Sequence, residues 1–252
     1  MSRENKVKSI LITQPTPEAG KNVYEELAKK YKLKIDFRSF IHIEPLSARE
    51  IRQQRVNILE HTAIIFNSKN AVDNFFKVCE TLKVEMPPDM KYFSLSENIS
   101  NYVQKYIVLR KRKMFCGKTG GEVGFLNLCK AHPTEKFLFP CSDIRKPSIP
   151  DFFKAHKLNL TEFTIYRTVS SDLSDLKEVF YDILAFFSPA DIKSLYDNFP
   201  DFLQNQTRIA GFGESTQKAI LEHSLILDIP APTAEATSMV TALEHYIKRA
   251  NS

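Results

Sequence analysis

The residues with the strongest claim to chemistry are small hydroxyl and amide side chains, and they recur at one kind of place. Thr13, Asn67 and Ser68, Ser94 and Ser96, Ser188, and Ser215 with Thr216 each follow a short apolar run and precede a segment of helical period. A strand that turns into a helix there aims free backbone N–H groups, and the positive end of the helix dipole, at whatever lies beyond it. The chemistry on offer is recognition of carboxylates or phosphates by N–H and O–H donors. Asn67, Ser68, Asn70, Ser96, Ser188, Ser215 and Thr216 are therefore the candidate binding residues. Ser68 and Ser188 are also what a helix start selects as an N-cap, worth about 1 kcal/mol, and capping is compatible with ligand contact. Ser215 and Thr216 stand just inside a helix after Gly211-Phe212-Gly213, where a bare backbone lets a ligand approach closely. Tyr166, near the end of a long strand, has two readings: a partly buried aromatic, or a hydroxyl donor aimed into a cleft.

Other chemistries lack their residues. Cys79, Cys116, Cys129 and Cys141 have no C-x-x-C spacing, and the six histidines form no H-x-x-x-H pair, so no metal site is expected and the thiols read as reduced and mostly buried. Cys141 and Arg145 have the residue types of a cysteine phosphatase loop at the wrong spacing. There is no G-x-S-x-G elbow. Only 7 of 252 residues are glycine, and Thr216 stands where a dinucleotide fingerprint after Gly211 and Gly213 needs its third glycine. A net charge of +5 suits an anionic small ligand but is too weak to argue for nucleic acid. The basic run Arg110 to Lys113 reads as a solvated turn or as an anion-attracting rim. The first residues lack an apolar leader, and no stretch reaches the roughly 18 apolar residues of a membrane span, so a cytoplasmic protein is expected.

The elements that must position these residues follow from periodicity. Apolar runs are predicted as strands at 9–13, 33–43, 62–66, 91–95, 114–116, 136–139, 160–168, 182–187, 207–210 and 225–229, most followed by a helix, the pattern of parallel sheets with crossover helices. Ser47-Ala-Arg-Glu50 and Ser188-Pro-Ala-Asp191 fit the capping box, and Pro189 suits the first helical position. With 43% hydrophobic and 26% charged residues the chain can bury a sizeable core, and at about 150 residues per domain its length allows two.

A faint duplication supports two similar α/β domains. Lys32-Leu-Lys-Ile35 resembles Lys157-Leu-Asn-Leu160, the Phe66 to Val72 segment resembles Phe187 to Ile192, and Ser94-Leu-Ser-Glu97 resembles Gly211-Phe-Gly-Glu214, in order along the chain. About five strands each would make two sheets of flavodoxin size. The long strands 33–43 and 160–168 stand at equivalent points of the repeats and could run from one domain into the other. A cleft between the two sheets would result.

The ordered set Ile10-Leu-Ile-Thr13-Gln14-Pro15, Ala63-Ile-Ile-Phe-Asn67-Ser68-Lys-Asn70-Ala-Val72, Tyr166-Arg-Thr168, Phe187-Ser-Pro189, Gly211-Phe-Gly-Glu-Ser-Thr216 and Ala231-Pro-Thr-Ala-Glu235 resembles the uroporphyrinogen-III synthase family over nearly the whole chain. The resemblance implies two flavodoxin-like parallel-sheet domains joined by a two-stranded β-ladder. Residues 1–37 plus 167–252 would form one domain and 38–166 the other, with linker strands near 33–43 and 160–168. It implies the reaction too: the linear tetrapyrrole hydroxymethylbilane loses its terminal hydroxyl as water and closes to uroporphyrinogen III with ring D inverted, in haem biosynthesis. Tyr166 matches the family tyrosine placed near the departing hydroxyl, and the binding residues above would hold substrate carboxylates. No cofactor, no metal, no nucleic acid and no membrane are implied, and a monomer is expected. The chain departs from the family pattern at Gln14, where arginine is common, at Asn67, where threonine is common, at Ala190, where a second serine often stands, and at Ser94 and Ser96, in place of glycine. The rival reading is a non-catalytic two-domain clamshell that binds an anionic or tetrapyrrole ligand, since fold alone does not fix function.

Overall fold

The structure, a computed structural model, describes residues 5–17, 22–108, 111–117, 120–145 and 147–251. From the amino end the chain runs β1 (Ser9–Ile12), α1 (Tyr24–Tyr31), β2 (Lys34–Phe37), β3 (Ile41–Pro45), α2 (Ala48–Gln53), β4 (Ala63–Phe66), α3 (Lys69–Leu82), β5 (Lys91–Ser94) and α4 (Glu97–Val103). It continues through β6 (Met114–Cys116), α5 (Gly121–Lys130), β7 (Lys136–Ser142), α6 (Ser148–Ala155), β8 (Asn159–Ser170), β9 (Ile183–Phe186), α7 (Pro189–Asn198), β10 (Arg208–Phe212), α8 (Glu214–Glu222), β11 (Leu227–Ala231) and α9 (Met239–Asn251). Two compact units result, Met1–His42 with Val169–Ser252 (unit 1) and Ile43–Thr168 (unit 2).

Unit 1 holds a sheet in the order β11-β10-β9-β1-β2, all pairs parallel. Its central strands are apolar on both faces, as a sheet covered on both sides requires. One face packs Ile10, Ile12, Ile183 and Ile229 against Leu27 of α1 and Met239, Leu243 and Ile247 of α9. The other packs Leu11, Leu184 and Ile209 against Ile192 and Leu195 of α7 and Ile220 of α8. Unit 2 holds the order β3-β8-β7-β4-β5-β6. One face of that sheet packs on α2, α3 and α4 through Ile51, Val72, Phe75 and Ile99, and the other on α5 and α6 through Phe125 and Phe153.

The two topologies are the same arrangement entered at different points. Taken along the chain, unit 1 has the flavodoxin order 2-1-3-4-5. Unit 2 has that order as β8-β7-β4-β5-β6, with its last two strands standing where unit 1 has its first two. This pairs β2 with β8, β9 with β4 and β10 with β5, the three pairs in which the sequence repeats were seen. The chain crosses between the units within β3 and β8. These are neighbours in one sheet, and Leu46 N–H donates to Ile165 C=O as Ser171 N–H donates to Phe40 C=O, an antiparallel register.

Three sequence expectations need correction. The predicted strand 33–43 is two strands, β2 in the sheet of unit 1 and β3 in that of unit 2, broken at Arg38 to Phe40. The break is made by Phe40, 1% exposed, which turns into the core beside Phe186. Ser194 and Ser171 hydrogen bond its carbonyl, and Ser39 Oγ bonds Ile41 C=O at 2.6 Å. Second, β7 runs on to Ser142, beyond the predicted strand 136–139, so Cys141 belongs to a buried strand. Burial pushes its thiol up to about 11, which removes it from nucleophilic chemistry. Third, the predicted strand 225–229 is shifted to β11, with Leu225 serving as a buried connector. The described cysteines are free, with Cys79, Cys129 and Cys141 buried and Cys116 half-buried. Of the basic run, Arg110 lies outside the described residues, and residues 111–113 form a single 3-10 turn. Among the described residues no helix is long and apolar enough to cross a membrane.

Candidate active site

In open α/β sheets ligands bind beyond the carboxyl ends of the strands where the strand order reverses. That point lies between β7 and β4 in unit 2 and between β1 and β9 in unit 1. Asn67, Ser68 and Asn70 follow β4 and Ser188 follows β9, whereas Ser96 follows β5, Ser215 and Thr216 follow β10, and Tyr166 lies within β8.

In unit 2, β4 delivers Asn67 and Ser68 to the start of α3. Ser68 is the N-cap, its Oγ accepting from Ala71 N–H at 3.1 Å. Tyr166 comes from β8, with its ring buried among Phe66, Val72 and Phe163 and only 6% of its surface exposed. The ring belongs to the core, and the Ser68 side chain lies near the hydroxyl. Burial raises the phenol above its ordinary value of 10, while the Ser68 hydrogen bond works in the opposite direction. The group stays protonated at neutral pH and is a donor. Asn67 Oδ1 is buried with no hydrogen-bond partner. Asn70 is exposed, its carbonyl accepting from Asn74 Nδ2 at 2.9 Å. Ser96 precedes α4 without using its hydroxyl as a cap.

Asp143, at the end of β7, completes this region. Its Oδ1 accepts from Thr168 N–H at 3.0 Å, Ile144 N–H at 2.8 Å and Ser142 Oγ at 2.9 Å. Burial pushes its carboxyl up, but these three donors together outweigh that and hold it below the ordinary range. Its own N–H donates to Tyr166 C=O at 3.1 Å, which fixes the backbone that carries the tyrosine.

In unit 1, Ser188 caps α7 in a full capping box with Asp191, and Pro189 takes the first helical position. Asp191 is 3% exposed, and its Oδ2 accepts from Phe187 N–H at 3.1 Å, Ser188 N–H at 2.9 Å and Thr13 Oγ1 at 3.1 Å. Burial, the largest influence, leaves the Asp191 carboxyl above its ordinary value despite those donors. The Gly-x-Gly after β10 divides its work. A Cβ on Gly211 would sit 2.6 Å from Ile220 Cδ1, so this glycine lets α8 lie close to the sheet. Gly213 has φ +86° and faces open space, so it is a glycine for its backbone angle and leaves main chain accessible. Ser215 is exposed, whereas Thr216 is 1% exposed and belongs to the interior of unit 1.

Sequence reasoning missed Asp143 and the depth of Asp191, the two carboxylates that stiffen the switch points. For Asp191 the capping-box spacing was the available signal; for Asp143, two of whose donors are its chain neighbours and the third Thr168, 25 positions away, no spacing motif was available. It also missed Ser238, whose Oγ accepts from Thr241 N–H at 3.2 Å at the head of α9. The motif Ala231-Pro-Thr233 forms the turn before it, with Thr233 Oγ1 accepting from Ala236 N–H at 3.1 Å.

The sequence profile of the uroporphyrinogen-III synthase HemD family matches residues 22–241, running through both units. The chain belongs to the uroporphyrinogen-III synthase family. Uroporphyrinogen-III synthase of Saccharomyces cerevisiae is 27% identical over 133 residues, 46% of this chain and 48% of the yeast protein, so that match spans about half of the relative's length. The solved uroporphyrinogen-III synthetase of Helicobacter pylori shares the fold with a TM-score of 0.62 at 18% identity, covering 96% of this chain and 99% of the other. A mutant uroporphyrinogen III synthase of Thermus thermophilus shares it with a TM-score of 0.53 at 12% identity, covering 97% and 98%. Within the uroporphyrinogen-III synthase family this chain shares the two-sheet architecture with these solved structures at low sequence identity.

Proposed function

We propose that the chain is a uroporphyrinogen-III synthase. It would close the linear tetrapyrrole hydroxymethylbilane to uroporphyrinogen III with inversion of ring D, the terminal hydroxyl leaving as water. The observation that carries this reading is the family match through both units, whose switch-point turns supply donors suited to a carboxylate-rich ligand. The reaction is redox-neutral, so it balances without an oxidant or reductant.

Hydroxymethylbilane closes unaided to the uninverted isomer, so the protein's task is to favour one folded conformer of a flexible chain. A ten-to-one preference takes about 1.4 kcal/mol of differential barrier. In this reading Tyr166 donates its phenolic hydrogen to the departing hydroxyl, which needs the protonated phenol that burial maintains. Asn67, Ser68, Asn70, Ser96, Ser188 and Ser215, with the open main chain at Gly213, would hold acetate and propionate groups. Thr216 would act from the interior, by shaping the α8 start. The protein would work as a cytoplasmic monomer.

The test is to generate hydroxymethylbilane in place with its own synthase, add the purified protein, oxidise the products and separate type I from type III uroporphyrin by chromatography. A protein-dependent excess of type III is expected. Type I alone at the spontaneous rate, with folded protein, would reject the enzyme and favour a ligand-binding clamshell.

A further inference from the structure

Unit 1 contains a pocket that the turns described above do not use. It has a volume of about 460 Å³, within the range of small-molecule sites. It lies on the α7 face of the sheet, toward the amino ends of β9 and β10, where Tyr181 and Thr207 line it. Ser188 and Gly213 follow the carboxyl ends of those same strands, so the pocket and the candidate active-site turns are at opposite ends of them.

Its walls come largely from two connections, 171–182 and 199–207, that are unusually apolar for loops. Loops run over the surface and are ordinarily polar. These carry Val179, Phe180 and Leu203 at the rim, with Phe180 59% and Leu203 72% exposed. The fold leaves these side chains in water, although removing apolar surface from water is favourable.

Apart from the exposed Asn205, Lys177 and Asp201, the polar side chains in the lining are already committed. Asn198 Nδ2 donates to Ser171 and Ser194 carbonyls and its Oδ1 accepts from Leu173 N–H. Gln204 bonds Ile226 through both ends of its amide. Tyr181 OH donates to Asp36 at 2.8 Å, and Thr207 Oγ1 to Tyr181 C=O at 3.1 Å. Nothing inside asks for a polar partner, and at the rim Lys177 is matched by Asp201, so no net charge selects an ion. A carboxylate-rich tetrapyrrole has no counterpart here.

We propose that this pocket is a binding site for a neutral, largely hydrocarbon molecule of aromatic or alicyclic shape, separate from the candidate active site. The molecule's body would fill the space over Leu184 and Leu195, and Phe180 and Leu203 would close over its outer edge.

The experiment uses the full chain and the neutral dye N-phenyl-1-naphthylamine, whose fluorescence rises in apolar surroundings. Saturable binding of one equivalent is expected, weakened tenfold or more by Phe180→Asp and, separately, by Leu203→Asp. Both positions are exposed in the folded chain, and circular dichroism verifies that the variants remain folded. No saturable binding, or binding that neither substitution weakens, overturns the proposal. So does concentration-dependent self-association abolished by Leu203→Asp, which would make a second copy the occupant. The readout requires no turnover, so its failure and the failure of the synthase reading are separate results.

Discussion

The β9–α7 turn of unit 1 and the β4–α3 turn of unit 2 occupy equivalent places in their sheets, end on the same serine cap, and are finished in opposite ways. At β9–α7 the third helical residue is Asp191, and one carboxylate oxygen gathers two backbone N–H groups and the Thr13 hydroxyl. At β4–α3 the third helical residue is Ala71, with no carboxylate to do this. There the Ser68 hydroxyl faces a tyrosine, and the neighbouring Asn67 oxygen has no partner. One turn satisfies its own polar groups and is a structural joint. The other leaves the Asn67 oxygen unpartnered close to the Tyr166 phenol, and under the proposed function a substrate would complete the hydrogen bonding there. The two frames are similar, and their third helical residues, Asp191 and Ala71, separate a turn closed by a carboxylate from one that is not.

The largest effect should come from breaking the self-satisfied turn. Asp191→Ala strands buried donors and is expected to cost about 3 kcal/mol, read as a lower urea midpoint. A loss under about 1 kcal/mol would mean that the turn does not depend on its carboxylate. Next, Tyr166→Phe should reduce turnover tenfold or more, about 1.4 kcal/mol, in the isomer assay. Its urea midpoint should hardly move, since the ring is retained; an unchanged rate would take Tyr166 out of the mechanism.

A smaller change should finish the unfinished turn. Asn67→Thr removes the unpartnered oxygen and is expected to raise stability by about 1 kcal/mol while slowing turnover. A stability loss would show that the oxygen has a partner in solution.

The smallest effect separates the two carboxylates by the sign of their pH dependence. Asp143, held below its ordinary 3.8, contributes stability above that pH and loses it as pH falls through its lowered folded value. Asp191, raised above 3.8, contributes most below that pH and loses it as pH rises through its folded value. Unfolding free energies of wild type against Asp143→Asn and against Asp191→Asn, followed across that pH range, should therefore diverge in opposite directions. Parallel curves would show that the two carboxylates are in equivalent environments after all.

What could be read in advance was what is local. Both capping boxes, Ser47 with Glu50 and Ser188 with Asp191, formed as spaced, because a cap links residues three apart within one turn of helix. The Gly211-Phe-Gly213 turn and the repeat pairs were legible for the same reason, as was the family resemblance built on them. The 33–43 segment was misread because alternation carries no record of a bend. Phe40 leaves the strand pattern for a pocket built by Phe186 and Leu195, more than a hundred residues away.

The sequence by itself determined the α/β class, the duplicated architecture, the family and the serine-capped turns, since each rests on periodicity or on contacts within one helical turn. Only the tertiary structure decided which serine faces a phenol, that Thr13 reaches Asp191, that Thr216 is interior, and that two apolar loops surround a pocket. Those outcomes depend on strands remote in sequence becoming neighbours in a sheet, and on the burial that then sets which hydroxyls keep their protons and which carboxyls resist losing them.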